Sequence, residues 1–285
     1  MSNTVAAHAH TPMGENRRRG GPGNGLTILS HSQKGQLEDC PRQWWLQRVA
    51  RDQYGDKLKP LTAAWFDQGT AEHHALQYWE LSGRTADAVQ LFYDEFDRLI
   101  AQHLASHPWE SEWVRGGRGK TRQADIDKRR EVGAEQVARY VEWAPLQPFR
   151  VWTLPDGEPA LEVGFKVMLG SVTVIGYIDA VWEWTDTGRI EPVDYKSGSK
   201  EPATDEQLGL YARVLEALFG ITITHGRFMM LKDWDYRERD LSMYTREHLT
   251  ELYAEAERVK LSGDYPAKPG SCFTCMMKKH CSDAV

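Results

Sequence analysis

The four cysteines constrain the fold of this 285-residue chain most strongly, because they stand at opposite ends of it. Cys272, Cys275 and Cys281 lie within the last fourteen residues, whereas Cys40 stands more than two hundred residues upstream. Three clustered cysteines and one distant cysteine, with none left over, are typical of a four-thiolate metal site. The pattern predicts that the C-terminus is fastened to helices near the N-terminus.

The spacing leaves alternatives open for this site. Zinc is bound by four cysteines or by three cysteines and a histidine, and His280 stands beside Cys281. Disulfides are a third alternative. We expect a cytoplasmic protein, since the N-terminus lacks a secretion signal, and a reducing cytoplasm disfavours disulfides.

A second feature is a predicted pair of adjacent strands that carries two carboxylates and an amine. Residues 171–183 and 189–196 are rich in β-branched and aromatic side chains and are separated by turn-forming residues. Asp194 and Lys196, two residues apart, point to the same face of the second strand. Asp179 on the first strand can face them.

Two carboxylates at such a short distance repel each other unless a cation lies between them. Oxygen ligands favour Mg²⁺ or Mn²⁺ as that cation. Lys196 can then orient an attacking water and offset the charge that develops on a phosphate. This set of groups is what metal-assisted phosphodiester cleavage requires. The alternative is a cross-strand Asp–Lys pair on a solvated hairpin.

Four short motifs follow one another along the chain: Gly69-Thr70-Ala71-Glu72-His73, Gly176-x-x-Asp179, Asp194-x-Lys196 and Gln207-x-x-x-Tyr211. Because these motifs occur in this order, the chain resembles the PD-(D/E)XK nuclease superfamily, and within it the RecB-like exonucleases. It is most similar to their iron–sulfur subset, which includes CRISPR-associated and AddB-type nucleases.

The resemblance implies a role for each matching residue. The implied metal ligands are His73, Asp179, Asp194 and the backbone carbonyl of Tyr195. Lys196 is implied to be catalytic, supported by Gln207 and Tyr211. The resemblance also implies a [4Fe–4S] cluster whose ligands are Cys40, Cys272, Cys275 and Cys281.

Several of these positions have a purely structural alternative. Thr204-x-x-Gln207 also matches the pattern of a capping box for a helix over residues 204–219, which would keep Gln207 away from a metal. Tyr211 lies one turn further on and could be a core tyrosine. His73 has His74 beside it, and Glu162 on the preceding strand either adds a carboxylate or is simply exposed.

A glycine-rich basic loop is the candidate DNA-binding segment, with Arg115, Arg118, Lys120 and Arg122. Such a loop can follow phosphates without recognising bases, and the alternative is a solvated loop. A P-loop is excluded because Val114 stands where that motif needs glycine. The formal net charge of −6 argues against a protein that coats DNA along its whole surface.

The order of the predicted elements indicates an α/β fold with a restriction-endonuclease-like core, in which helices flank a mixed central sheet. We predict a disordered tail over 1–25, a helical part over 26–145, a nuclease core over 146–262 and a cysteine-bearing tail over 263–285. Helices are predicted near 32–50 in the helical part and over 246–261 at the end of the core. No apolar run is long enough to span a membrane.

These features predict a metal-dependent DNA exonuclease that acts on strand ends or single-stranded DNA. Recombination, repair or replication-linked end processing is the expected role, and CRISPR spacer processing is an alternative. A DNA-binding or assembly module without catalytic activity is the other alternative. The chain carries no helicase motif, so unwinding would require a helicase or recombination partner. The sequence does not indicate an oligomeric state.

Overall fold

Helices dominate the first half of the chain. The computed structural model describes residues 6–8, 27–117 and 120–284. A π-helical turn, Leu46–Ala50, connects the second and third helices. The helices are α1 (His31–Asp39), α2 (Pro41–Trp45), α3 (Arg51–Tyr54), α4 (Ala64–Leu81), α5 (Ala88–Ser106), α6 (Arg122–Trp143), α7 (Glu206–Phe219) and α8 (Arg246–Leu261).

The described strands form one mixed sheet of eight strands. They are β1 (Ala6–His8), β2 (Thr27–Leu29), β3 (Phe149–Val151), β4 (Leu161–Leu169), β5 (Val172–Trp184), β6 (Ile190–Lys196), β7 (His225–Met230) and β8 (Asp235–Asp240). Alternation of buried and more exposed residues in β4 is the pattern of a strand packed mainly on one side.

Strand β5 is the centre of the sheet. Along one side it pairs with β4 in antiparallel register. On its other side, β2 runs parallel to its first residues and β6 runs antiparallel to its last residues. Strands β6 and β7 are parallel, as a crossover through α7 requires, and β8 returns antiparallel at the edge.

Helices cover both faces of the sheet, so the molecule has three layers. One hydrophobic core joins α1, α7 and α8 to β4, the first half of β5 and part of β7. The other core joins α4, α5 and α6 to the second half of β5 and to β6. The predicted α/β class with a mixed central sheet flanked by helices is therefore confirmed.

Two predictions near the N-terminus differ from the structure. The helix predicted over 32–50 is interrupted at Cys40, which is extended with φ of −162°, because Pro41 begins a new helix there. Ala6–His8, inside the segment predicted to be disordered, pair with β4, and the rest of residues 1–25 lies outside the described residues. Among the described helices, none is both long and apolar enough to cross a membrane.

Candidate active site

The site lies where β5 and β6 separate. Their ladder ends at the pair Ala180 and Val193. Beyond it, the backbone N–H of Tyr195 donates to the Oδ2 atom of Asp179 at 2.9 Å, so a side chain replaces the next ladder bond. The separation places Asp194, Tyr195 and Lys196 beside Asp179, as the predicted strand pair requires.

Asp194 and Lys196 form a close pair in this opening. Lys196 Nζ lies 2.6 Å from Asp194 Oδ2, and Asp194 is only 2% exposed. Burial, followed by the nearby charge of Asp179, raises the pKa of Asp194 to about 6, although Lys196 acts in the opposite direction. Ionised Asp194 is therefore less stable here than in water, and a further positive charge would stabilise it.

Gln207 connects Lys196 to Tyr211. Lys196 Nζ donates to Gln207 Oε1 at 3.0 Å, and Gln207 Nε2 donates to the Tyr211 hydroxyl at 2.8 Å. The capping-box alternative is wrong, because α7 begins at Glu206 behind the N-cap Asp205, with no side-chain cap. Gln207 is therefore free to orient the lysine.

Tyr211 combines the two roles that the sequence left open. It is buried in the core, and its ring packs edge-on against Phe165 with the ring centroids 6.1 Å apart. Its hydroxyl also accepts the hydrogen bond from Gln207. One side chain thus anchors the polar chain to the hydrophobic core.

Helix α4 brings His73, and not His74, to this opening. The His73 Nε2–H donates to the carbonyl oxygen of Tyr195 at 3.1 Å, and Nδ1 lies 3.6 Å from Asp179 Oδ2. Burial lowers the pKa of His73, but the surrounding carboxylates, chiefly Asp179, raise it above its ordinary value overall. The ring of His74 packs instead on Tyr78.

Glu162 also reaches this site. Atoms from His73, Glu162 and Asp179 that could bind a metal all lie within 4.8 Å of one another. Burial, followed by the charge of Asp179, raises the pKa of Glu162 to about 7. The alternative that Glu162 is simply exposed is wrong.

Glu72, a residue that was not predicted to belong to the site, also supports it. Its side chain is fully buried, accepts a 2.8 Å hydrogen bond from Gln68 and has its pKa raised to about 7 by burial, against hydrogen bonds from Ser197 and Gln68. Gly69 lets α4 approach closely, since a Cβ there would lie 3.3 Å from Ser197 Oγ. A charged residue on the inward face of α4 is the sequence signal.

The donor atoms suit a divalent cation of the magnesium or manganese type. An imidazole, several carboxylates and the main-chain carbonyl of Tyr195 face the same opening. Hard oxygen donors dominate this set, and Mn²⁺ also accepts imidazole. Burial, followed by the charge of Asp179, raises the pKa values of Asp194 and Glu162, and such a cation would oppose both effects.

The four cysteines meet at a second location. Lys268 donates its backbone N–H to Cys40 Sγ at 3.4 Å, and Met277 does so to Cys275 Sγ at the same distance. Burial raises the pKa of the Cys275 thiol, and the other three thiolates add to the effect. One small cavity is lined by all four: Cys40, Cys272, Cys275 and Cys281.

His280 is engaged elsewhere. Its Nε2–H donates to the carbonyl oxygen of Lys59 at 2.8 Å, and the residue does not line the cysteine cavity. This geometry favours four thiolate ligands over three thiolates and a histidine, because the imidazole would have to abandon a good hydrogen bond to join them.

The basic loop stays a prediction as a DNA-binding element. The Arg115 guanidinium donates to Glu110 and to the carbonyl oxygen of Lys120. Arg122 donates to a main-chain carbonyl nearby. Arg118 lies outside the described residues. The described arginines thus hold the loop's own conformation and remain partly exposed.

Comparison with known proteins agrees with this geometry. The family model of the PD-(D/E)XK nuclease superfamily matches residues 28–282. The "Gene 69 protein" of Mycobacterium phage D29 is 31% identical over 274 residues, which cover 90% of this chain and 97% of that protein. The "Gene 69 protein" of Mycobacterium phage L5 is 28% identical over 289 residues, covering 90% and 96%. With its motif residues gathered at one opening in the sheet and this match over most of its length, the chain belongs to the PD-(D/E)XK nuclease superfamily.

Proposed function

We propose that this protein is a metal-dependent DNA exonuclease of the RecB-like type. The observation that carries the proposal is the convergence of Lys196 with Asp194, Asp179 and His73 at the opening between β5 and β6. Exonuclease action and DNA as substrate are supported by the motif order that resembles RecB-like enzymes. Work at strand ends suits recombination, repair or replication-linked processing, with a partner chain for unwinding.

The proposed ligands of the cation are His73, Asp179, Asp194 and the carbonyl oxygen of Tyr195. When bound, Mg²⁺ or Mn²⁺ would supply neutralisation of phosphate charge and activation of water. The backbone N–H of Tyr195 donates to the carboxylate of Asp179, which helps to fix the direction of the Tyr195 carbonyl. His73, already at hydrogen-bond distance from that carbonyl, faces the same point.

Lys196 is the proposed catalytic residue. Asp194 and Gln207 hold its ammonium group from two sides, which limits its rotamers before substrate arrives. The side chain keeps 28% exposure, so a phosphate oxygen or a water can reach it. From this position the ammonium orients the attacking water and stabilises the negative charge that develops on the phosphate.

A module without catalytic activity is the competing function. The free-energy cost of burying Asp194 argues against this function, since burial raises the pKa of its carboxyl group. Asp194 is also paired with Lys196, which a hydrogen bond to Gln207 orients. A surface used only for binding gains nothing from a buried, mutually repelling carboxylate pair. The intact arrangement favours an enzyme.

The function is tested with purified protein on end-labelled single-stranded and double-stranded DNA, with and without Mg²⁺ or Mn²⁺. We expect release of nucleotides or short products from linear DNA, only when a divalent cation is present. Closed circular DNA is the control, and it should remain intact. DNA binding without cleavage under any of these conditions would favour the non-catalytic module.

We also propose that Cys40, Cys272, Cys275 and Cys281 hold a [4Fe–4S] cluster. Four thiolate positions around one cavity, two of them with N–H donors to sulfur, support this centre, and zinc is the alternative. Protein purified without oxygen should be brown and contain iron and sulfide in matching amounts. Colourless protein with one zinc per chain would assign the site to zinc.

A further inference from the structure

The backbone of Glu162 is unusual for its place in a strand. Its φ is +47°, in the left-handed region, although it lies near the start of β4. Outside glycine this conformation is uncommon, and strained residues of this kind concentrate at functional sites. The conformation therefore needs a reason in what the side chain does.

The register of the sheet places a second carboxylate directly opposite. Leu161 pairs with Ala180 and Val163 pairs with Ile178, so Glu162 lies across from Asp179. Like charges directly opposite each other on neighbouring strands are destabilising. The two side chains nevertheless approach each other, since their oxygen atoms lie within 4.8 Å.

Both strands also rotate at this pair. Leu161 and Ala180 pack with the helices α4 to α6, whereas Val163 and Ile178 belong to the core on the other face. A step of two residues ordinarily keeps side chains on one face of a strand. The rotation turns Glu162 and Asp179 together toward His73 on α4.

We propose that Glu162 is a further ligand of the divalent cation, shared with His73 and Asp179. The inference rests on the proposed metal-dependent function and extends its ligand set to a residue that the family motifs do not include. The charges agree with it. Glu162, Asp179 and Asp194 carry three negative charges when ionised, and the ammonium of Lys196 offsets one of them. One divalent cation neutralises the two charges that are left.

The test is direct titration of the protein with Mn²⁺ by isothermal calorimetry at pH 8, where the carboxylates are ionised. Glu162→Gln keeps the shape of the side chain and removes its charge, and we expect it to weaken Mn²⁺ binding by about tenfold or more. The matched control is Glu183→Gln. Glu183 lies on β5 and pairs with Arg150, away from the site. The Mn²⁺ affinity of Glu183→Gln should therefore equal that of the wild type.

Thermal unfolding provides a second readout. In excess chelator, Glu162→Gln should melt at the same or a higher temperature than the wild type, because it removes repulsion with Asp179. The rise in melting temperature on adding Mn²⁺ should be smaller in the variant. If Glu162→Gln does not fold, Glu162→Gly replaces it, since glycine accepts the left-handed backbone.

The outcomes separate this inference from the function on which it rests. Unchanged Mn²⁺ affinity in Glu162→Gln, with binding lost in Asp179→Asn, overturns the role of Glu162 and leaves the metal site standing. A variant that melts lower in chelator and still binds Mn²⁺ normally shows a structural carboxyl group and also overturns it. Absence of Mn²⁺ binding by the wild type contradicts the metal-dependent function itself.

Discussion

At the scale of single residues, hydrogen bonds and ion pairs restrict the charged side chains of the site to few conformations. Lys196 is held by Asp194 and by Gln207, and Gln207 is held in turn by Tyr211 in the core. Preorganised groups of this kind contribute to rate because they need no rearrangement as charge develops. The proposed chemistry therefore depends strongly on individual side chains.

The first prediction concerns Lys196→Ala. We expect DNA cleavage to fall by about 10²–10³-fold or more, because the variant removes the charge that faces the reacting phosphate. The fold should persist, as the side chain is partly exposed. Single-turnover assays measure the cleavage rate, and circular dichroism checks the fold. Lys166→Ala, at an exposed position of β4, is the control, and full activity in Lys196→Ala would remove Lys196 from the catalytic site.

The second prediction concerns His31 at the start of α1. Burial, followed by the charge of Lys34, lowers its pKa to about 4, against the opposing influence of Glu206 and Asp194. Between about pH 6.5 and 4 the unfolded chain therefore binds a proton that the folded protein does not. The contribution of His31 to the free energy of unfolding should therefore fall as pH drops through this window, by at most about 1.4 kcal/mol per pH unit. The buried carboxyls of the site, whose pKa values are raised, contribute with the opposite sign.

Urea unfolding at several pH values tests the effect of His31. Between pH 6.5 and 5, the free energy of unfolding of His31→Gln should fall less, or rise more, than that of the wild type. His248→Gln, which changes a histidine in the first turn of α8, is the matched control. Equal slopes in the wild type and His31→Gln would show that His31 does not titrate in this way.

At the scale of elements, the neighbouring strands β4 and β5 couple the core to the site. Gly176 lies directly opposite Phe165, whose ring covers it. A Cβ at position 176 would lie 2.7 Å from that ring. Because Phe165 packs against Tyr211, the absence of a side chain at Gly176 helps to set the position of the polar chain that reaches Lys196.

The third prediction is that Gly176→Ala destabilises the protein by about 1–3 kcal/mol, as overpacking of a core does. The added methyl group should push Phe165 toward Tyr211 and reduce cleavage as well. Urea unfolding and cleavage assays measure the two effects. Combining Gly176→Ala with Phe165→Leu should restore part of the lost stability.

Gly198→Ala is the control for this substitution. No atom lies within 4 Å of a Cβ at position 198, so the added methyl group meets open space. Gly198→Ala should leave stability close to that of the wild type. If both alanine variants were equally stable, the contact between positions 165 and 176 would not be as tight as its geometry indicates.

At the scale of the whole molecule, the C-terminal tail joins the two ends of the chain. Beyond the cysteines, Arg42 donates to the carbonyl oxygens of Tyr265 and Pro266. The backbone N–H of Leu61 donates to Met276 at 2.8 Å. A metal centre at the cysteines would thus close a loop of more than two hundred residues and reduce the entropy of the unfolded chain.

The fourth prediction is that Cys275→Ala lowers the melting temperature and loosens the C-terminal tail and α8. By analogy with cross-links that close long loops, the loss should be several kcal/mol, roughly 2–5. Limited proteolysis should cut the tail before the sheet. Ser282→Ala, in the same tail, is the control. Lost cleavage with unchanged melting and protease resistance would indicate a direct functional role for the centre.

Most elements and the identity of the motif residues could be predicted from the amino-acid sequence. Runs of β-branched residues marked the strands that carry Asp179 and Lys196, and the ends of α8 were predicted at 246 and 261, as observed. These features depend on neighbours within a few positions along the chain. Local periodicity and turn chemistry therefore suffice to predict them.

Which polar groups face one another depends on tertiary packing and could not be predicted from local sequence patterns. A capping box at Gln207 and a contact with Lys196 are equally compatible with the local pattern, and the start of α7 settles it. Glu162 joins the site through cross-strand register and a backbone rotation that leave no local signature. Cys40 meets the tail cysteines, and His280 does not, because the packing of distant segments sets which donors share one cavity.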